Sequence, residues 1–97
     1  VIVLVFNNNA YGNVRRDQVN FYDGRVHGSE LVNPDFVALA QSFGARGYRS
    51  ESPEHFRDLL ARALTETADG PVLIEVPIER GSEASPFEFM MPNNYGR

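Results

Sequence analysis

The chain opens on Val1-Ile2-Val3-Leu4-Val5-Phe6, an apolar run without a polar break, and the run stops on Asn7-Asn8-Asn9. An unbroken run, unlike an alternating one, reads as a strand buried on both faces. Such strands belong to parallel sheets covered by helices on both sides. The run is too short for a bilayer span, which takes about 20 residues, and it lacks the flanks of a signal peptide. Asparagine tolerates left-handed backbone and disfavours a continuing strand, so the triplet predicts a turn. No Met or polar residue precedes this buried-looking strand. The expectation is therefore a partial domain, with the sheet edge beside Val1–Phe6 missing its neighbours.

The rest of the chain alternates in the manner of an α/β layer. Residues 11–19 predict a short helix that contains Gly12, and residues 20–33 a polar loop. Asn33-Pro34-Asp35 offers an N-cap, a first-turn proline and a first-turn acid. Phe36, Leu39, Ala40 and Phe43 then give one apolar helical stripe, ended by Gly44. Residues 45–50 predict a strand. Ser52-Pro53-Glu54 repeats the helix-start order, ahead of a stripe of Phe56, Leu59, Leu60, Ala63 and Leu64. Asp69-Gly70-Pro71 ends that helix, and Val72–Val76 is a second buried-looking strand, closed by Pro77. The order predicts a three-layer α/β fold with a mostly parallel sheet. Two segments follow from it: a domain portion over 1–80 and an extended tail over 81–97.

Composition removes several functions. With 97 residues the chain is at most one small domain. It has no cysteine, which excludes disulfides, thiolate metal sites and cysteine nucleophiles. A formal charge of -4 disfavours nucleic acid as a partner, and no segment suits a membrane. The absence of cysteine and of an Asn-x-Ser/Thr sequon fits a cytoplasmic origin.

In open parallel sheets, ligands bind beyond the carboxyl ends of the strands. The loop after Phe6 is the first place to look. Asparagine presents a neutral oxygen, and a tight turn can aim a backbone carbonyl. Oxygen donors suit a hard cation such as Mg²⁺ bridging to a diphosphate. Composition alone favours an ordinary turn over such a site.

The segment VIVLVFNNNAYGNVR resembles the second half of the thiamine diphosphate motif of acetolactate-synthase-type enzymes. There an apolar strand ends in Asn-Asn, followed by two variable residues, an aromatic or polar residue and Gly. Asn7, Asn8, Tyr11 and Gly12 match that spacing. NPDFVALAQSFGARGYR and GPVLIEVPIER are similar to later segments of the same family, in the same order. The resemblance implies a thiamine-diphosphate-binding fold, with thiamine diphosphate and Mg²⁺ as cofactors. It implies that Asn8 gives its side-chain oxygen, and Ala10 its backbone carbonyl, to the metal. Asn7 and Tyr11 would shape the loop, Gly12 would let the backbone pass close to the cofactor, and Val14 would line the pocket.

The resemblance further implies a 2-oxo acid decarboxylase or carboligase as the whole protein, a homodimer or homotetramer with its sites between subunits. The family's Gly-Asp-Gly and its cofactor-activating Glu have no counterpart in this chain. No catalytic residue is therefore expected among these 97 residues, and the chain alone is expected to be inactive. An apolar residue at Val14 fits the synthase branch. Asp17 stands where branched-chain acetolactate synthases often carry Trp, and Tyr11-Gly12 with Arg15 is similar to benzoylformate-decarboxylase-like lyases. A phosphate- or nucleotide-binding module without catalysis is a further alternative, weakened by the absence of both glycine-rich phosphate-loop patterns.

Other candidates have plainer readings. His27 and His55 have no ligand partners at metal spacing and read as surface residues. Glu75, inside an apolar strand, reads as a buried, hydrogen-bonded or subunit-facing acid. Arg15 and Arg16 could meet a substrate carboxylate, but an exposed helix face accounts for them. Phe87, Phe89, Met90, Met91 and Tyr95 make the tail apolar, and it is expected to pack on its own domain or a neighbouring subunit.

Overall fold

A computed structural model of the chain describes residues 1–82. Its elements are β1 (Ile2–Asn7), α1 (Gly12–Phe21), α2 (Phe36–Ser42), β2 (Arg46–Arg49), α3 (Pro53–Glu66), a 3-10 turn (Thr67–Asp69) and β3 (Val72–Pro77). The described residues fall into two compact units. The first joins 1–7 to 33–78, and the second joins 8–32 to 79–82. The expected tail beyond Ser82, with Phe87, Phe89, Met90, Met91 and Tyr95, lies outside the described residues.

The first unit is a three-stranded parallel sheet in the order β1-β3-β2. Its central strand satisfies the reading of an apolar run buried on both faces: Val72, Ile74 and Glu75 are all buried. In β1 that expectation does not hold, since Val3 is 42% and Phe6 61% exposed. The reason is position. β1 is an edge strand in the described sheet, so its residues gain cover from one neighbour only.

A helix covers each face. Side chains alternate across a strand, and register pairs Tyr48 with Ile74 but Gly47 with Leu73 and Arg49 with Glu75. On the Tyr48–Ile74 face, Leu59 and Ala63 of α3 close a core with Val72 and Ile74, flanked by Ile2, Tyr48, Phe56 and Val76. On the opposite face α2 presses its Val37–Ala40 side onto Gly47. A Cβ built there would lie 2.8 Å from the Val37 carbonyl oxygen and 3.2 Å from the Ala40 Cβ. The sequence is thus an α/β fold with parallel strands and helices on both faces. Among the described residues, no helix is long and apolar enough to cross a membrane.

Local signals set the helix ends. Ser52 caps α3 by accepting from the His55 N–H, with Pro53 opening the helix, as the order Ser-Pro-Glu predicts. Gly44 adopts φ +75° directly after α2, the left-handed conformation that stops a helix. The start of α2 differs from expectation. Asp35, not Asn33, is the N-cap and accepts from the Val37 and Ala38 amides. Asn33 is drawn away to the side chain of Asn7. The stripe of α2 is also narrower than its sequence suggests. Ala40 is buried, whereas Phe43 is 83% exposed, because the packed side runs through Val37 and Ala40. Leu64 of α3 is likewise 66% exposed.

The α2–β2 contact gives a direct test. In Gly47→Ala the added methyl meets backbone rather than a movable side-chain tip. The substitution is expected to destabilise the first unit by about 1–3 kcal/mol, the usual cost of overpacking. The urea midpoint of the natural full-length polypeptide measures it.

Candidate functional site

Asn7 closes β1 and belongs to the first unit. Its side chain is engaged at both ends. Nδ2 donates to Glu75 Oε1 at 2.8 Å, and Oδ1 accepts from Asn33 Nδ2 at 2.8 Å. Glu75 is 4% exposed, and its second oxygen accepts from Arg49 Nε at 2.6 Å. Arg49 in turn donates from Nη2 to Asp35 Oδ1 at 3.0 Å. The hydrogen bond to Glu75 is the leading reason that the Arg49 guanidinium is held more firmly protonated than usual. The buried, hydrogen-bonded acid expected at position 75 is thus found, with Asn7, Arg49 and Asn33 as the network around it.

The second unit begins at Asn8. Asn8 Oδ1 accepts from the Ala10 N–H at 3.0 Å, which makes an Asx turn. Asn9 between them adopts φ 53°, the left-handed conformation that asparagine tolerates and that the triplet predicts. An isolated antiparallel bridge pairs Ala10 with Glu30. It is made by the neighbours: Tyr11 N–H donates to the Ser29 carbonyl at 2.8 Å, and Leu31 N–H to the Asn9 carbonyl at 2.7 Å. The Ala10 carbonyl takes no part in those two bonds.

Helix α1 starts directly after this turn. Gly12 is its first residue rather than an interruption within it. Tyr11 occupies the N-cap position without any side-chain capping bond, and the first turn holds no acid. The other two helices are both capped by a side chain, Asp35 and Ser52. The N-terminus of α1 therefore presents helix N–H groups that no cap side chain takes up, and such groups suit an anion. Tyr11 and Val14 stand 60% and 52% exposed beside it.

Charge gathers on one side of the loop. Arg15 Nε contacts Glu30 Oε1 at 3.1 Å, and Arg80 Nη1 contacts Glu30 Oε2 at 3.3 Å. The hydrogen bond from Arg15, followed by the charge of Arg80, holds the Glu30 carboxyl below the usual carboxylate range. Arg80 also donates to the Asn9 carbonyl at 3.0 Å and approaches the Asn8 carbonyl at 3.4 Å. A cavity of about 190 Å³ lies along α1, lined by Gly12, Arg15, Arg16, Val19, Asn20 and Gly81. Arg16 in this wall is taken up by Asn13 and Asp17 on its own helix. Neither arginine lies on the exposed helix face expected of it: both are half-buried, Arg16 against its own helix and Arg15 against Glu30.

Of the residues singled out from sequence, Asn8, Ala10, Tyr11, Gly12 and Val14 share the second unit, and Asn7 sits in the first. Glu30 carried no sequence signal, and Arg80, the last residue of GPVLIEVPIER, carried no role; their placement beside the turn brings them forward. Among the described residues no group of three His, Cys, Asp or Glu side chains could hold a metal. His27 is exposed, and His55 Nδ1 accepts from the Glu51 N–H. The turn itself offers the neutral oxygens of Asn8 and Ala10. Both are hard donors of the kind Mg²⁺ takes, and an amide oxygen with two lone pairs can serve the Ala10 N–H and a metal together. The donor set and the uncapped helix fit a magnesium-bridged diphosphate.

Comparison with known proteins finds a matching family and several relatives. The family model described as thiamine pyrophosphate enzyme, C-terminal TPP binding domain, matches residues 1–76. An acetolactate synthase of Bacillus subtilis (strain 168) is 32% identical over 96 residues, covering 99% of this chain and 16% of that protein. The acetolactate synthase large subunit of Parasynechococcus marenigrum (strain WH8102) is 40% identical over 88 residues, 89% of this chain and 14% of that protein. The mitochondrial acetolactate synthase catalytic subunit of Saccharomyces cerevisiae is 35% identical over 80 residues, 82% of this chain and 11% of that protein. The chain thus spans about one-sixth or less of the length of these relatives.

Two outcomes follow from the site's wiring. Glu75→Ala removes the acceptor of both the Asn7 amide and the Arg49 guanidinium, and is expected to cost about 1–3 kcal/mol, read from the urea midpoint. For Glu30 the folded-state acidity is strengthened, so its contribution is complete above the ordinary carboxylate range. That contribution is lost as pH falls through the lowered value. Glu30→Gln should therefore show a shallower loss of stability on acidification than the wild type, measured as melting temperature against pH.

Proposed function

Since this chain belongs to the thiamine pyrophosphate enzyme C-terminal TPP-binding domain family, we propose that its Asn8–Ala10 turn binds Mg²⁺ and, with the N-terminus of α1, the diphosphate of thiamine diphosphate. The single observation that carries this reading is the junction of turn and helix in the second unit. An Asx turn closed by the Asn8 side-chain oxygen leads directly into a helix whose N-terminus has no side-chain cap. Cation donors and anion donors thus follow one another along a few residues of chain, as a metal-bridged diphosphate requires.

Each residue has a part in that reading. Asn8 gives its side-chain oxygen and Ala10 its main-chain carbonyl to the metal. The open N–H groups of the first turn of α1, beginning at Gly12, meet phosphate oxygens. Glycine at position 12 keeps that approach free of a side chain. Tyr11 and Val14, exposed beside the turn, supply apolar cover for the cofactor body. Asn7 shapes the end of the strand by its bonds to Glu75 and Asn33.

Thiamine diphosphate, when bound, supplies a carbon nucleophile and an electron sink for cleaving the bond beside a 2-oxo acid carbonyl. The residues of this chain hold and orient that group. Acetolactate synthases recur among the relatives, which supports a 2-oxo acid carboligase as the whole protein. A homodimer or homotetramer is what the family resemblance of the sequence implies. The donor set supports dependence on Mg²⁺, because neutral oxygens need the diphosphate charge to complete the metal's shell.

Calorimetric titration of thiamine diphosphate into the natural full-length polypeptide, with and without Mg²⁺, tests this. Binding should require Mg²⁺ and exceed binding of ATP or NAD. Asn8→Ala should weaken Mg²⁺ by at least the roughly tenfold that loss of even an outer-shell partner costs. Unchanged affinity in that variant would remove Asn8 from the site.

A further inference from the structure

The turn that presents Asn8 is held by one peptide plane. The peptide joining Asn9 to Ala10 donates its N–H to Asn8 Oδ1 at 3.0 Å. The carbonyl of the same peptide belongs to Asn9 and accepts from Arg80 Nη2 at 3.0 Å and from the Leu31 N–H at 2.7 Å. A peptide is rigid and planar, so fixing its oxygen fixes the direction of its N–H. The N–H direction in turn sets where the Asn8 side-chain oxygen rests. Arg80 Nε also reaches toward the Asn8 carbonyl at 3.4 Å, so one guanidinium spans two successive peptides of the turn.

Arg80 is itself aimed. Glu30 Oε2 lies 3.3 Å from Arg80 Nη1, while Glu30 Oε1 takes Arg15 Nε of α1 at 3.1 Å. Glu30 also stands across the bridge from Ala10. One carboxylate therefore ties α1 to the guanidinium that grips the turn. Asn9 sits at φ 53°, an αL conformation that a single residue holds at some cost. A charged donor on its carbonyl, about twice as strong as a neutral one, selects that conformer among those the turn can adopt.

We propose that Arg80 is a positioning residue for the metal-binding turn, acting through the Asn9–Ala10 peptide to hold the Asn8 side-chain oxygen, with Glu30 aiming it. This rests on the reading of Asn8 and Ala10 as magnesium donors. Arg80 donates to carbonyl oxygens and a carboxylate, and it gives nothing to the metal. Its effect is preorganisation of the donor pair: without it, the turn relaxes among several conformations and Mg²⁺ must bear the ordering cost.

The experiment titrates MgCl₂ into the natural full-length polypeptide in saturating thiamine diphosphate, for the wild type, Arg80→Ala, Arg80→Lys and Asn8→Ala. Melting temperatures of the cofactor-free proteins are measured alongside. Arg80→Ala should weaken Mg²⁺ by about tenfold, the lower end for an outer-shell partner. Arg80→Lys should lose less, because one ammonium keeps the charge but cannot span Glu30 and both carbonyls. Cofactor-free melting temperatures should stay at the wild-type value in both. Wild-type Mg²⁺ affinity in either Arg80 variant, with Asn8→Ala weakened, overturns this inference and leaves the cofactor reading standing. Weaker binding matched by a parallel fall in cofactor-free melting temperature in both Arg80 variants also overturns it, since that is general destabilisation. A wild-type protein that binds thiamine diphosphate without regard to Mg²⁺ overturns the cofactor reading itself.

Discussion

A buried carboxylate on the central strand organises the first unit. Glu75 is 4% exposed, and a charge removed from water is tolerated only with partners. Its two oxygens find one on each side, Asn7 from β1 and Arg49 from β2. A side chain on the middle strand thereby links all three strands on one face. Asp35 extends the link, since it holds Arg49 and caps α2 with the same oxygen. The other face is apolar, closed by Leu59 and Ala63 of α3 over Val72 and Ile74. The Glu75 face carries this polar network beside apolar Val3, Val5 and Leu73, and each face receives a different helix.

In the second unit a smaller constraint plays the corresponding part. The Asn9–Ala10 peptide is held at its oxygen by Arg80 and Leu31, and at its nitrogen by the Asn8 side chain. Backbone groups at a strand end are ordinarily satisfied by water, and loops there are mobile. Here charged and neutral protein groups satisfy them. The binding role proposed for this turn calls for that kind of preorganisation.

Most local structure was legible in the residues themselves. Ser52-Pro53-Glu54, Gly44 and the asparagine triplet each act through one or two neighbouring peptides, so their outcome is set within a turn of chain. The turn at Asn8–Ala10 was legible in the asparagine triplet, while its reading as a site came from a family resemblance. What misled the reading was competition between equals. Asn33 and Asp35 are both good caps, and the choice fell to Asp35 because Asn33 pairs with Asn7, distant in sequence. The stripe of α2 pointed to Phe43, yet packing selected Val37 and Ala40, since only a glycine at position 47 admits the helix backbone.

The order of strands and helices, the cap of α3 and the turn at the asparagine triplet were thus determined by short-range chemistry that any reader of the residues can apply. Strand order was not: β3 lies between β1 and β2 because the last strand carries both the most buried apolar side chains and the acid that reaches either neighbour. Nor could the chain's sequence announce Arg80, whose guanidinium meets Asn9 only through a contact between residues 71 positions apart. Local propensity decides what each segment becomes. Long-range pairing of buried polar groups decides which segments meet, because a charge or amide taken from water accepts only the partner that folding brings to it.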